Sequence, residues 1–176
     1  MNIVIVSNGP GLRDVVEKFG HSSEWIPASI NDSSINYKIL KAYEGETCHI
    51  KDYDAFIITG SKYSVYDNSN WISSLKSFIK SIILEKKPIL GICFGHQLLA
   101  ECLGGQVEQN KLGWELGSYS ISLTTEGLKH PLFENILDKD IVYESHQDVV
   151  SAIPEDAIQL AYTEKANQAF SYKNKV

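Results

Sequence analysis

Residues 88–104 read PILGICFGHQLLAECLG, and this stretch sets one cysteine where a strand turns sharply into a helix. The apolar run Ile89 to Ile92 follows a proline and has the length of a short buried strand. Leu98, Leu99 and Leu103 then recur at helical spacing until Gly104 and Gly105 stop the helix. Between the two lies Gly91-Ile-Cys93-Phe-Gly95, a nucleophile-elbow pattern with a thiol in place of the usual hydroxyl; its glycines leave room for the tight backbone that lifts the side chain clear of the sheet. A thiol at a helix N-terminus meets unpaired N–H groups and the positive end of the helix dipole, which favour the reactive thiolate. The same N–H groups can hold the oxyanion of an acyl-transfer intermediate.

Most free cysteines are small buried hydrophobes, but a core cysteine needs no glycine on either side, so Cys93 reads as a nucleophile. Cys102 is the internal control. Nine residues further along the helix it lies roughly 180° out of phase with the elbow end, and it reads as packing. Cys48 sits in the polar run EGETCH and has no evident role. Three cysteines without a C-x-x-C pair argue against a disulfide framework or a zinc site and suit a reducing compartment. Cys93 and His96 alone are too few ligands for a metal.

A chain of 176 residues, 43% of them hydrophobic, is long enough for one sizeable core, and a single domain over residues 1–176 is the expectation. A net charge of −6, with no local Lys/Arg cluster or interleaved aromatic strip, excludes the electrostatic footprint of a nucleic-acid binder. No segment approaches the ~20 apolar residues of a membrane helix, and the N-terminal apolar run is too short for a signal peptide. A soluble, cytoplasmic protein acting on small molecules or a protein partner is expected, with no cofactor and no metal.

Working outward from the elbow, Trp71, Ile72, Leu75, Phe78, Ile79, Ile82 and Ile83 form a helical stripe ending at Lys86-Lys87-Pro88. Ala55 to Thr59 is an apolar strand closed by Gly60-Ser61. Ile3 to Val6 is another, followed by a helix from Leu12 to Phe19 with Gly20 as its stop. Gly9 and Gly11 begin a dinucleotide-type pattern, but its third glycine would fall on Asp14. Ser22 to Pro27 and Tyr37 to Tyr43 are weaker strand candidates around a polar loop, Ser29 to Asn36. Apolar strands alternating with helices predict an α/β fold: an open, mostly parallel sheet with helices on both faces, and ligands at the carboxyl ends of the strands, where Gly60 and Cys93 lie. After Gly105 the texture changes to short alternating runs (117–123, 141–144, 158–163 and 169–172), which predict a small antiparallel extension.

Four segments together resemble the class I glutamine amidotransferases, and within them the GMP-synthase-like branch: GICFGHQLLA at the elbow, TGSKYSVYD after the third strand, NKLGWELG, and ESHQD at 144–148. They occur in that family's order and at similar separations, and a flavodoxin-like sheet is implied. The resemblance implies release of ammonia from the side chain of glutamine or a γ-glutamyl compound, with Cys93 forming a glutamyl thioester that water hydrolyses. By the same resemblance the backbone of Phe94 and of the Gly60-Ser61 turn would form the oxyanion hole. Gln97 would contact the amino-acid part of the substrate, where the motif-free reading is a solvated helix residue. Asp148 would accept the substrate α-ammonium, with Ser145 and His146 shaping the same wall. Trp114 reads as core or rim packing, and Glu115 is given no catalytic role.

The chain departs from the family in one respect. The family's base is a histidine oriented by a glutamate in an H-P-E motif, a few residues after the segment that here reads QAFSYKNKV; none of His21, His49, His96, His130 and His146 precedes Pro-Glu. Loss of a general base costs about 10²–10⁴ in rate, so this polypeptide alone is expected to have negligible glutaminase activity. An end just before the motif favours a shortened product over His146 standing in as base. Ammonia would pass to a separate synthetase or acceptor subunit. The competing reading is a non-catalytic remnant that binds glutamine or a partner and regulates it; a redox-sensing thiol protein would explain the elbow but not Gln97, Asp148 or the Gly60-Ser61 turn.

Overall fold

A computed structural model describes residues 1–173, so the last three residues of QAFSYKNKV lie outside the described residues. The chain divides into two compact units, Met1–Cys102 and Leu103–Val176.

The first unit runs β1 (Asn2–Ser7), α1 (Arg13–Phe19), α2 (Ser22–Ile30), β2 (Asn36–Lys41), β3 (Ala55–Ile58), α3 (Asn70–Leu84), β4 (Ile89–Gly91) and α4 (Phe94–Cys102). The strands form a parallel sheet in the order β2-β1-β3-β4. Register sets which side chains share a face. Val4 pairs with Phe56 and Val6 with Ile58, while Ile5 pairs with Ile57 one residue out of step, so successive residues alternate sides. Ile3, Ile5 and Ile57 pack with Ile26 of α2 on one side. On the other, Phe56 meets Phe78 of α3 edge-to-face at 6.2 Å, and Gly95 of α4 lies against Ile58. Helices therefore cover both faces, as the continuous apolar strands predict.

In α3 the predicted stripe is realised. Ile72, Leu75, Ile79 and Ile82 are at most 2% exposed, each contributing on the order of 1.5–3 kcal/mol of burial. One expectation fails: Ser22 to Pro27 is the start of helix α2, not a strand. Its N-terminus is closed by the His21 amide donating to Glu24 Oε2 at 2.9 Å, an S/T-free version of a capping box. Trp25 Nε1 donates to the carbonyl of Phe19 at 2.6 Å. A proline inside the segment, Pro27, made an extended reading the natural one.

The second unit contains β5 (Gln106–Gln109), β6 (Glu115–Ser120), β7 (Ser122–Leu123), β8 (Ile141–His146), β9 (Asp148–Ala152), β10 (Ala157–Tyr162) and β11 (Asn167–Tyr172). Five of them form an antiparallel sheet, β5-β9-β11-β10-β7; β6 and β8 form a separate two-stranded ribbon. This is the antiparallel extension that the alternating runs predict. Two of its strands carry no such signal. QVEQ of β5 has a single apolar residue, and β9 buries adjacent Val149 and Val150 rather than alternating. Asp148 is the first residue of β9. In the ribbon, Leu116, Ile141 and Tyr143 are 63–87% exposed on one face, while Glu115, on the other, is fully buried.

Candidate functional site

At the elbow, the backbone explains each glycine. Cys93 has φ +53°, the left-handed region that a side chain enters at a cost of on the order of 1–3 kcal/mol unless the surroundings enforce it. They do. A Cβ on Gly91 would lie 2.5 Å from the carbonyl carbon of Gly95, and one on Gly95 would drive into the carbonyl oxygen of Ile58. Strand end and helix start are thus pressed together, and the turn is closed by Ile92 N–H donating to Ile58 O and Gly95 N–H to Ile92 O, both at 2.9 Å. The thiol of Cys93 is exposed.

The other two cysteines are its opposites. Burial pushes the Cys102 thiol up to about 11, and it points at the Lys76 carbonyl oxygen at 3.8 Å. Burial also raises Cys48. Cys102 therefore packs, as its helical phase predicts.

Gly60 sits directly against the nucleophile: a Cβ there would be 3.5 Å from that of Cys93. Its turn is held from below by Asn8, which the sequence did not single out. Asn8 is fully buried, its side-chain amide donates to Thr59 O at 2.7 Å, and its carbonyl accepts from Ser61 Oγ at 2.6 Å. The only sequence signal was a polar residue closing an apolar strand. Phe94, the first residue of α4, is buried and stacks on Trp71 with ring centroids 6.0 Å apart, which fixes the helix start that carries its N–H. Gln97 is 6% exposed and is not a solvated helix residue. Gly60, Ser61, Cys93, Phe94 and Gln97 thus all belong to the elbow unit.

Ser145, His146 and Asp148 belong to the second unit, and β8 separates the first two. Ser145 is exposed opposite Leu116, whereas His146 faces Glu115 on the buried side of the ribbon. His146 Nδ1 lies 3.1 Å from the Asp148 carbonyl, which can only accept, so Nδ1 carries a proton. Nε2 lies 3.3 Å from Glu115 Oε2 and 3.4 Å from Glu144 Oε2, in ion-pair rather than aligned hydrogen-bond geometry. Both ring nitrogens face acceptors, an arrangement suited to the imidazolium. Burial pulls its pKa down, but the neighbouring carboxylates, Glu144 first and then Glu115, and the Asp148 carbonyl outweigh that, and the net shift is upward.

Glu115 is the polar centre of the ribbon. It is fully buried, accepting from Thr163 Oγ1 at 2.6 Å on one oxygen and from Gln168 Nε2 at 2.8 Å on the other. Thr163 Oγ1 in turn accepts the amides of Lys165 and Ala166 at 3.2 Å, so its proton is left for the carboxylate. Trp114 is half exposed, its carbonyl accepting from Lys165 Nζ at 2.9 Å. Among the described residues no group of three or more His, Cys, Asp or Glu could hold a metal ion, and no helix is long and apolar enough to cross a membrane.

Known proteins resemble this chain in sequence and in fold. The family model described as glutamine amidotransferase class-I matches residues 14–175. Gamma-glutamyl peptidase 5 of Arabidopsis thaliana is 33% identical over 153 residues, covering 84% of this chain and 61% of the peptidase. The glutamine-hydrolyzing GMP synthase of Treponema denticola is 41% identical over 164 residues, covering 92% of this chain but 29% of the synthase. The chain therefore spans less than two thirds of either relative. A glutamine amidotransferase from Thermotoga maritima has the same fold, with a TM-score of 0.81 at 24% identity over 99% of this chain and 72% of that one.

Proposed function

The chain belongs to the class I glutamine amidotransferase family, and from that premise we propose that Cys93 is the nucleophile for cleavage of a γ-glutamyl amide, either glutamine or a γ-glutamyl compound. The thiolate attacks the γ-carbonyl carbon, and the oxyanion is held by the N–H of Phe94 and the Gly60-Ser61 turn. The C–N bond breaks, the nitrogen leaving with a proton as ammonia or an amine, and water hydrolyses the thioester to glutamate and free thiol. Gln97 and Asp148 bind the amino-acid part of the substrate, Asp148 through its α-ammonium.

The observation that carries this reading is an exposed thiol held at φ +53° between two glycines that tolerate no side chain. That geometry serves acyl transfer and has no use in packing. The glutamine-hydrolyzing GMP synthase relative supports delivery of ammonia to a synthetase, and the peptidase relative supports direct hydrolysis. A second reading is a protein that binds glutamine without turning it over and regulates a partner.

The test is therefore set at the thiol. A diazoketone analogue of glutamine should alkylate Cys93 saturably, glutamine should protect it, and Cys93→Ser should abolish labelling. Labelling that glutamine does not slow, or that falls on Cys48 or Cys102, overturns the proposal. Labelling with protection but without ammonia release from glutamine selects the regulator reading.

A further inference from the structure

We infer that Glu115, seconded by Glu144, is a positioning residue for recognition of the substrate α-ammonium, acting through His146 on the turn that presents Asp148. The inference rests on the glutamyl-binding role proposed above for Asp148 and extends it to residues assigned no part in it.

The ribbon register places Glu115 directly across from His146, with Glu144 two residues away on the same face of β8. The imidazole side chain is 12% exposed and the two carboxylates 0% and 18%. Nothing in apolar packing calls for a carboxylate at complete burial, and one is tolerated only where its oxygens are satisfied. Glu115 meets that condition with Thr163, Gln168 and His146. Its two oxygens serve two turns. Through Thr163 it holds the 163–166 turn between β10 and β11, where Thr163 N–H also donates to Ala166 O at 2.9 Å. Through His146 it fixes the turn from β8 into β9.

Two hydrogen bonds tie that second turn to its neighbours, beside the pairing of Asp148 with Gln109 of β5. His146 Nδ1 binds the Asp148 carbonyl at 3.1 Å, and Asn110 N–H binds the Gln147 carbonyl at 2.9 Å. An imidazole that loses its proton can present either nitrogen as donor, and the bond to the Asp148 carbonyl is then no longer obligatory. The carboxylates of β6 and β8 hold the ring charged and in one orientation, so the hydrogen bond to the Asp148 carbonyl, which acts with the β5 pairing to set the start of β9, depends on them. The remaining groups at the cluster, Thr163 and Gln168, are uncharged.

Titration of L-glutamine into the Cys93→Ala protein, followed by calorimetry, is compared with titration of 4-carbamoylbutanoate, the same amide acid without the α-amino group. Glutamine should bind at least about tenfold more tightly, the preference a charge-assisted pair confers. In Glu115→Gln that preference should fall to about twofold or less, and in Glu144→Gln, whose side chain reaches solvent, by about half as much on a logarithmic scale. The preference in the parent protein should also decline as pH rises above 6.5 and His146, whose pKa is raised, loses its proton. Loss of packing alone would weaken both ligands together and leave the ratio and its pH profile unmoved. If the parent binds glutamine with preference and both variants retain it, the positioning role is wrong. If Glu115→Gln does not fold, Glu144→Gln decides. If the parent shows no preference for the α-ammonium, the proposed role of Asp148 itself has failed.

Discussion

The elbow of the first unit and the ribbon hairpin of the second are fixed by opposite kinds of force. At the elbow, shape is imposed by exclusion: two glycines where no Cβ fits and one cysteine at positive φ. In the hairpin, shape is imposed by attraction among buried polar groups from four strands and a turn, converging on Glu115 and His146. Steric exclusion is local in sequence, so it is written into five consecutive residues. Polar convergence joins positions 48 and 53 residues apart, and no local pattern announces it.

The contrast can be broken at its stiffest point first. Gly95→Ala forces a methyl group into the Ile58 carbonyl, and a loss on the order of 3–5 kcal/mol, read from the urea midpoint, is expected; a loss under about 1 kcal/mol would show that the elbow yields. Gly60→Ala is its companion, since an added Cβ meets only ordinary contact. That variant should fold normally while alkylating at Cys93 more slowly.

Next comes the hairpin. Glu115→Ala leaves Thr163, Gln168 and His146 facing a void, and should cost about 3 kcal/mol in the same measurement. A loss no greater than that of an exposed glutamate would mean that the cluster is strain rather than support.

The pH dependence sharpens the same point. The folded-state pKa of His146 is raised above the ordinary histidine value of 6.5, so its stabilising contribution is complete below the unfolded value and is lost as pH rises through the folded one. The amount is about 1.4 kcal/mol for each unit of separation. Melting curves from pH 6 to 9 should therefore show a decline that His146→Gln removes; an identical decline in the variant assigns it elsewhere.

The smallest effect belongs to the surface. Arg13 and Glu17 pair at 2.7 Å with side chains 92% and 63% exposed, and Glu17→Gln should change stability by less than about 0.5 kcal/mol. A larger change would mean that exposed charge matters here as much as buried charge.

Legibility of the molecule follows the same division. The parallel sheet, the α3 stripe and the elbow were readable because apolar periodicity and glycine placement are short-range signals. Helix α2 was misread because Pro27 outweighed a cap formed by His21 and Glu24, neither a residue type that marks a helix start strongly. Strands β5 and β9 were invisible because their partners, not their own sequences, make them strands. Asn8 and the burial of Glu115 were not announced for a related reason: each is a single polar residue whose hydrogen bonds exist only once distant segments are brought against it. Even the motif ESHQD, visible as a motif, did not reveal that alternation along β8 would turn Ser145 and His146 to opposite sides.

The backbone angle at Cys93 sets activity and durability against each other. Glycine occupies that region without penalty, so Cys93→Gly should yield a hardier protein with no nucleophile. Heat-resistance screening of random variants would then enrich for inert molecules, and only a demand for the thiol's chemistry would keep the cysteine in place.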